Sequence, residues 1–520
     1  MEGGLAFARP VRFAPRMTPR PAHHVATVDL GSNSFHMLVA KIVDGRIHVV
    51  DKLRELVVLA DGLDAQRKLD AKTQVRALAC LERFGQRLRD LKHGAVRAVG
   101  TNTMRQVRDG GRFVAKAQKA LGHPIDVIPG KEEARLVYLG VAHDLSDDAG
   151  RRLVVDIGGG STECILGERF EPQETHSLFM GCVTYTRRFF GSGNITDKAL
   201  DKAFVAALLE MRSIKRRFLN LGWETCVGSS GTILTIAQIL KANGWSERGI
   251  TAKGLKRLRR ALLDARTTRR LDLNGLPEER RATLPGGAAI LSAIFESLQI
   301  ERMDPSGGSL REGVIYDLLG RIHHEDVRDR TIKALAERYH VDLEQAARVE
   351  RTAQQLFQGV AEAWEIDVED GARSLSWASR LFEVGMSIAY SGYHKHGAYL
   401  VANSDMPGFS RDDQHLLAAI IRSHRGKLRD ETFAELSSSR ARLARRLAIV
   451  LRLAVLLNRS RTARALPPLG VAVSRRGLRL ALSRDWLREH PLTRADLDAE
   501  AAVLARERFQ LEVAETRDLA

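Results

Sequence analysis

Asp29-Leu-Gly-Ser-Asn-Ser34 and Asp156-Ile-Gly-Gly-Gly-Ser-Thr-Glu163 are two versions of one phrase, about one domain length apart. Each closes an apolar run, Val25-Ala-Thr-Val28 before the first and Leu153-Val-Val155 before the second. A carboxylate at a strand end, followed by glycine and small hydroxyl residues, places clustered backbone N–H groups beside a metal-binding oxygen. That pairing suits a phosphate with its Mg²⁺. The element after each loop decides the fold. Both loops run into a second strand, over 35–43 and 163–166, and neither opens a helix. A Walker loop or a dinucleotide-binding turn must open a helix so that its N-terminus meets the phosphate, so both readings fail. Two related α/β lobes closing on one phosphate remain.

The 520 residues give room for several domains with ordinary cores. No uninterrupted apolar run reaches the roughly 18 residues of a membrane span. The N-terminus lacks the apolar stretch of a secretory leader, so a cytoplasmic protein is expected. Cys80, Cys164, Cys182 and Cys226 are widely spaced, with neither a CxxC nor a CxxH pattern, and read as reduced core thiols. The formal net charge of +17 points to a polyanionic partner or substrate, although scattered arginine also reads as plain solvated surface. No nucleic-acid partner is expected, and peripheral membrane association finds no amphipathic anchor to support it.

Residues 1–24 carry Pro10, Pro15, Pro19 and Pro21 among arginines without periodicity and read as a disordered tail, with Met17 an alternative start. Residues 25–145 form the first lobe, with a hairpin turn at Asp44-Gly45, a helix over 71–91, a strand over 95–99 and a helix opening near Glu132. Residues 146–322 repeat the pattern as the second lobe. Strand signals then vanish, and amphipathic helices fill 323–465. Alternation returns over 466–520, which reads as a small α+β module.

Four ordered motifs carry a resemblance: Asp29-Leu-Gly-Ser-Asn-Ser-Phe-His-Met37, Gly130-Lys-Glu-Glu-Ala-Arg135, Asp156 to Glu163, and Leu310-Arg-Glu-Gly313. Together they resemble the exopolyphosphatase/guanosine pentaphosphate phosphatase family. The resemblance implies two actin-like, ribonuclease H-like lobes, then an all-α degenerate HD-type domain, and a homodimer. In that helical part Leu381-Phe-Glu-Val-Gly385 stands where a His-Asp dyad would bind metal, and Phe382 cannot ligate one.

Residue by residue, the resemblance makes Glu133 the group that activates the attacking water. Its place in the first turn of a predicted helix agrees, because the dipole there favours the ionised form and an ionised carboxylate can take a proton from water. Plain helix capping is the alternative for Glu133 and the assignment for Glu132. Asp156 and Glu163, with Asp29 from the facing loop, are the expected Mg²⁺ ligands. Gly31, Gly158, Gly159 and Gly160 let backbone approach phosphate, and Ser32, Asn33, Ser34, Ser161 and Thr162 add donors. Arg105 is expected on the terminal phosphate, where a guanidinium fork fits. Ser229-Ser-Gly-Thr232 and Gly307-Gly308 match phosphate or nucleotide contacts of the broader fold. Arg259, Arg260, His394, Lys395, His396, His424 and Arg425 are candidates for a polyanion channel.

The leading expectation is an exopolyphosphatase that releases orthophosphate from the end of inorganic polyphosphate. Hydrolysis of guanosine pentaphosphate is the alternative; an actin-like ATPase, or a polyphosphate- or nucleotide-binding protein without activity, stands further off. Two details favour polyphosphate: the tripled glycine at 158–160, and Ser391-Gly-Tyr-His-Lys-His396 in the helical part.

Overall fold

The computed structural model describes residues 23–43, 46–64, 66–108, 110–145, 150–322, 326–462, 466–474 and 477–516. The N-terminal tail, Met17 and the Asp44-Gly45 turn lie outside the described residues. In the first lobe β1 (His23–Leu30), β2 (Ser34–Val43) and β3 (Arg46–Leu56) form an antiparallel meander. Parallel to β1 lies β4 (Val96–Gly100), and parallel to that β5 (Ile125–Val127), giving the order β3-β2-β1-β4-β5.

The second lobe repeats this wiring. There β6 (Arg151–Ile157), β7 (Thr162–Glu168) and β8 (Glu171–Leu178) make the meander, and β9 (Thr225–Ser229) lies parallel to β6. With β10 (Ile250–Thr251) and β11 (Arg302–Pro305) the order is β10-β11-β9-β6-β7-β8. Central strands are apolar on both faces because helices cover both: Leu153, Val154, Val155 and Ile157 of β6 are all buried.

The duplication has a consequence at the strand ends. Asp29 of β1 pairs in register with His36 of β2, and Asp156 of β6 pairs with Glu163 of β7. His36 therefore holds in lobe I the place that Glu163 holds in lobe II.

Two helices, Gly130–Asp144 and Leu310–Ile322, cross between the lobes at very close range. Glycine makes the approach feasible. A Cβ on Gly140 would stand 2.0 Å from the Ser309 carbonyl oxygen, and one on Gly313 would stand 1.8 Å from that of Leu136. Gly313→Ala must push the two helices apart, and we expect it to cost about 1–3 kcal/mol, the usual scale for overpacking. Thermal denaturation checks this; an unchanged midpoint would show that the crossing is loose.

The remaining chain is helical from Val327–Arg338 to Ser438–Leu457, and it ends in a three-stranded sheet. That sheet joins β12 (Gly470–Ser474), β13 (Gly477–Ser483) and β14 (Gln510–Thr516), with helices Arg484–Glu489 and Pro491–Arg506 between the last two. Leu478, Leu480 and Leu482 of β13 bury into the same core as Leu447, Leu451 and Ala454 of the long helix. The segments expected as separate units, 323–465 and 466–520, thus share one hydrophobic core. No helix of the described residues is long and apolar enough to cross a membrane.

Candidate active site

The two Asp loops face each other across a cleft of about 280 Å³. Its lining includes Asp29, Gly31, Ser32, Asn33 and Ser34 from lobe I, and Asp156, Gly158, Gly159, Gly160, Ser161 and Glu163 from lobe II. Glu133 enters from the first turn of the crossing helix. Four carboxylates therefore converge on one cleft from four elements, β1, β6, β7 and the crossing helix.

Burial strains their electrostatics. Asp29 and Asp156 are each pushed up to about 7, chiefly because burial penalises the charged form. Arg311 opposes the shift at both, and the Glu133 carboxylate adds to it. Glu163 is pushed well above the usual carboxylate range, by burial first and then by Glu133 and Asp156, although the Ser177 hydroxyl donates to it at 2.8 Å. Asp29 Oδ1 is buried without a hydrogen-bond partner. Hard oxygens, crowded negative charge and an orphaned acceptor fit a hard divalent cation. Among the described residues no group of three or more His, Cys, Asp or Glu side chains is placed to hold a metal by itself. A cation held here would keep waters and take substrate oxygens beside one or two carboxylates.

Arg105 is tied to the cleft through Glu133. Its Nη1 donates to Glu133 Oε2 at 2.8 Å and to the Ile128 carbonyl at 2.8 Å, so part of the guanidinium is spent on holding the carboxylate. Thr162 is fully buried, and its hydroxyl donates to the Met180 carbonyl at 2.6 Å, which removes it from the donors. Glu132 is no cap. It turns away from the cleft, is 3% exposed, and binds Arg135 through both carboxylate oxygens at 2.8 Å.

The tripled glycine also answers to something other than substrate. A Cβ on Gly160 would meet Asn102 Oδ1 at 2.7 Å and Ser32 Oγ at 3.1 Å, and one on Gly159 would meet Ser32 Cβ at 3.2 Å. The second loop is glycine-rich there because it packs against lobe I.

Several site residues are not legible in the sequence pattern. Arg311, inside a quoted motif but given no role, donates to His36 Nδ1 at 2.9 Å. An arginine can only donate, so His36 Nδ1 accepts and its Nε2–H donates to Ser34 Oγ at 2.8 Å. Burial first, then Arg311, drives His36 down to about 2, and it stays neutral. Arg280 presses on the loop at Gly231, where a Cβ would stand 2.0 Å from its Nη2. Arg54 of β3 reaches Glu279 across the lobes at 3.5 Å, beside Arg280. Arg54, Arg280 and Arg311 all line the cleft, with Ser230, Gly231, Thr232 and Gly307. Arg54 and Arg280 lie far along the chain from either glycine loop's phosphate-facing end, and no spacing rule joins them to it. For Arg311 the motif itself was the available signal.

The expected channel residues divide between two places: Arg259 and Arg260 lie in lobe II, whereas His394, His424 and Arg425 meet around Tyr393 in the helical part. Arg259 is paired with Asp197 and Asp201 on the outer face of lobe II, near Arg260 in the same helix. His424 is buried, its Nε2 lies 3.2 Å from the Tyr393 hydroxyl, and burial drives it down to about 3, so it is a neutral core residue. Arg425 stacks on the Tyr393 ring at 4.8 Å. His394 is half-buried and pulled down to about 4 by burial and neighbouring arginines. Lys395 lines a separate groove of about 960 Å³ against Pro129, and His396 follows it in the helix Tyr393–Asn403.

Residues 38–322 match the Ppx/GppA phosphatase family and residues 327–501 match Ppx/GppA phosphatase, domain III. A Vibrio cholerae protein named guanosine-5'-triphosphate,3'-diphosphate pyrophosphatase is 42% identical over 478 residues, 92% of this chain and 95% of that one. A Photobacterium profundum protein of the same name is 40% identical over 476 residues, again 92% of this chain and 95% of its own. The crystal structure of an exopolyphosphatase from Cytophaga hutchinsonii shares the fold, with a TM-score of 0.52 and 24% identity over 57% of this chain and 98% of that one. By its motifs, its duplicated lobes and these matches, the chain belongs to the Ppx/GppA phosphatase family, hydrolases that act on phosphoric anhydride bonds.

Proposed function

We propose that this protein hydrolyses the terminal 5'-phosphate of guanosine 5'-triphosphate 3'-diphosphate. The observation that carries the reading is 40–42% identity over 92% of the chain with proteins named for that substrate. The expectation of an exopolyphosphatase is corrected by the same finding. Of its physical supports, the third glycine answers to Asn102, and among the basic residues offered as a channel Arg259 is paired with two aspartates and His424 is buried.

In this reading a water lies between Glu133 and the terminal phosphorus. Glu133 takes the proton as the water oxygen bonds to phosphorus and the bridging P–O bond breaks, with the nucleotide leaving as the tetraphosphate. Phosphoryl transfer of this kind needs positioning and charge stabilisation more than covalent help. The loops at Asn33 and at 159–161 offer amides to the phosphate oxygens, and Arg311 adds positive charge on the lobe I side. Mg²⁺, held by Asp156 with Asp29 and Glu163 acting directly or through water, would supply Lewis-acid charge neutralisation. Arg54 and Arg280 are proposed for the outer phosphates of the substrate.

Phosphate release measured with malachite green, on guanosine pentaphosphate, long-chain polyphosphate and ATP in parallel, tests the substrate. Release from the guanosine compound well above the other two is expected. Faster release from ATP or polyphosphate would overturn the reading. In the same assay Arg280→Ala should raise KM for the guanosine substrate on the order of tenfold or more, the scale of a lost charged hydrogen bond, with a smaller change in kcat.

A further inference from the structure

On the far side of the Glu133 helix from the cleft lies a buried cluster of four charges drawn from three elements. Arg97 stands on β4, Glu132 and Arg135 on the helix Gly130–Asp144, and Asp317 on the helix Leu310–Ile322. Asp317 accepts from Arg97 through Oδ2 and from Arg135 through Oδ1. Glu132 holds Arg135 bidentately and lies 3.8 Å from Arg97 Nη2. Side-chain exposures of 5% for Arg97, 2% for Glu132, 11% for Arg135 and 3% for Asp317 put the quartet out of water. The four are two positive and two negative groups, and the more exposed Asp126 lies 3.8 Å from Arg97 Nε at the edge. Buried ion pairs of this kind contribute little net stability, and they penalise any displaced arrangement heavily.

A fifth participant comes from the helical part of the chain. The Gly408 backbone N–H donates to Glu132 Oε2 at 2.9 Å, a contact 276 residues away in sequence. The loop carrying it is fixed on both sides. Thr331 Oγ1 donates to the Pro407 carbonyl at 2.7 Å, and Phe409 is fully buried, edge-on to Trp377 at 4.9 Å. Gly408 itself is left-handed at φ +87°, and a Cβ there would stand 2.5 Å from Val327 Cγ1. Alongside, Lys131 pairs with Asp405 at 2.5 Å.

Glu132 and Glu133 are neighbours in the first turn, so their side chains leave the helix about 100° apart. One is locked into the quartet; the other reaches the cleft. We propose that the quartet and the Gly408 amide position Glu133, so that the helical part of the chain sets the geometry of the catalytic carboxylate without touching substrate. Arg97, Glu132, Arg135, Asp317 and Gly408 are positioning residues. This rests on the reading of Glu133 as the base.

The test uses Gly408→Ala and Asp317→Asn in the full chain. The first displaces the amide and the second removes one charge with almost no change of shape. With both variants confirmed as folded by thermal melting, kcat for guanosine pentaphosphate should fall on the order of tenfold to a hundredfold, the scale of a small misplacement of a catalytic group, while KM stays near the wild-type value. Hydrogen exchange of the amides over 130–136 should rise in Gly408→Ala. Wild-type kcat in both folded variants, or a higher KM with kcat unmoved, overturns the proposal. If the wild-type protein releases no phosphate from this substrate, the substrate reading falls and exchange decides alone: unchanged exchange in Gly408→Ala overturns the positioning role.

Discussion

Glu133→Gln is expected to lower kcat by at least about a hundredfold, the usual contribution of a general base, while guanosine pentaphosphate still binds. The substitution is nearly isosteric. A glutamine carbonyl can accept the Arg105 hydrogen bond now made at 2.8 Å, so the local scaffold survives. An amide cannot take a proton from water at neutral pH, and that is the property removed. The rival reading, in which Glu133 only favours the helix N-terminus, makes a different forecast. Loss of one first-turn charge costs only about 0.3–1 kcal/mol of stability and leaves turnover intact. Steady-state kinetics beside equilibrium binding separates the two, and wild-type turnover in Glu133→Gln would remove the residue from the reaction.

Asp156→Asn should be the next most damaging change, with a loss on the order of a hundredfold in kcat/KM, corresponding to a few kcal/mol of charge stabilisation. Asp156 belongs to β6, is 9% exposed, and lines the cleft opposite Asp29. The asparagine keeps the shape and one oxygen but loses the charge, so the Mg²⁺ concentration needed for half-maximal rate should rise. Chelation of the wild-type protein should abolish phosphate release, with activity restored by added Mg²⁺. An Asp156→Asn protein with unchanged Mg²⁺ dependence would take Asp156 out of the proposed metal set. Activity that survives chelation would remove the metal altogether.

Much of the fold is legible in the sequence because its signals are local. Apolar strands, a carboxylate at each strand end, glycine turns and the switch to helical periodicity after the second lobe all lie within a few residues of one another. The same locality identifies the loop residues Asp29, Gly31, Ser32, Asn33, Ser34, Asp156, Gly158, Gly159, Gly160, Ser161 and Glu163, and the family resemblance adds Glu133; the structure brings all of them to one cavity. Thr162 is misleading because alternation cannot say which hydroxyl is spent on a neighbouring carbonyl. Arg105's hold on Glu133 is not legible because a residue's position after a strand does not fix the direction of a long flexible side chain. Charge counting errs for a related reason: His424 and Arg259 look alike in a basic composition, yet one is buried neutral and the other is tied to two aspartates.

By itself, the sequence determined that two Asp-Gly loops of one pattern end two apolar strands, and that neither opens a helix. Those facts depend on side-chain period and backbone steric limits, which operate over a few residues. Only the tertiary structure decided what lines the cleft between the loops and what holds them. It set Arg54, Arg280 and Arg311 around the cleft, turned Gly160 toward Asn102, and placed Glu132 in a buried quartet reached by Gly408. Such contacts join residues up to 276 positions apart, and their strength comes from burial, which exists only once the chain has folded.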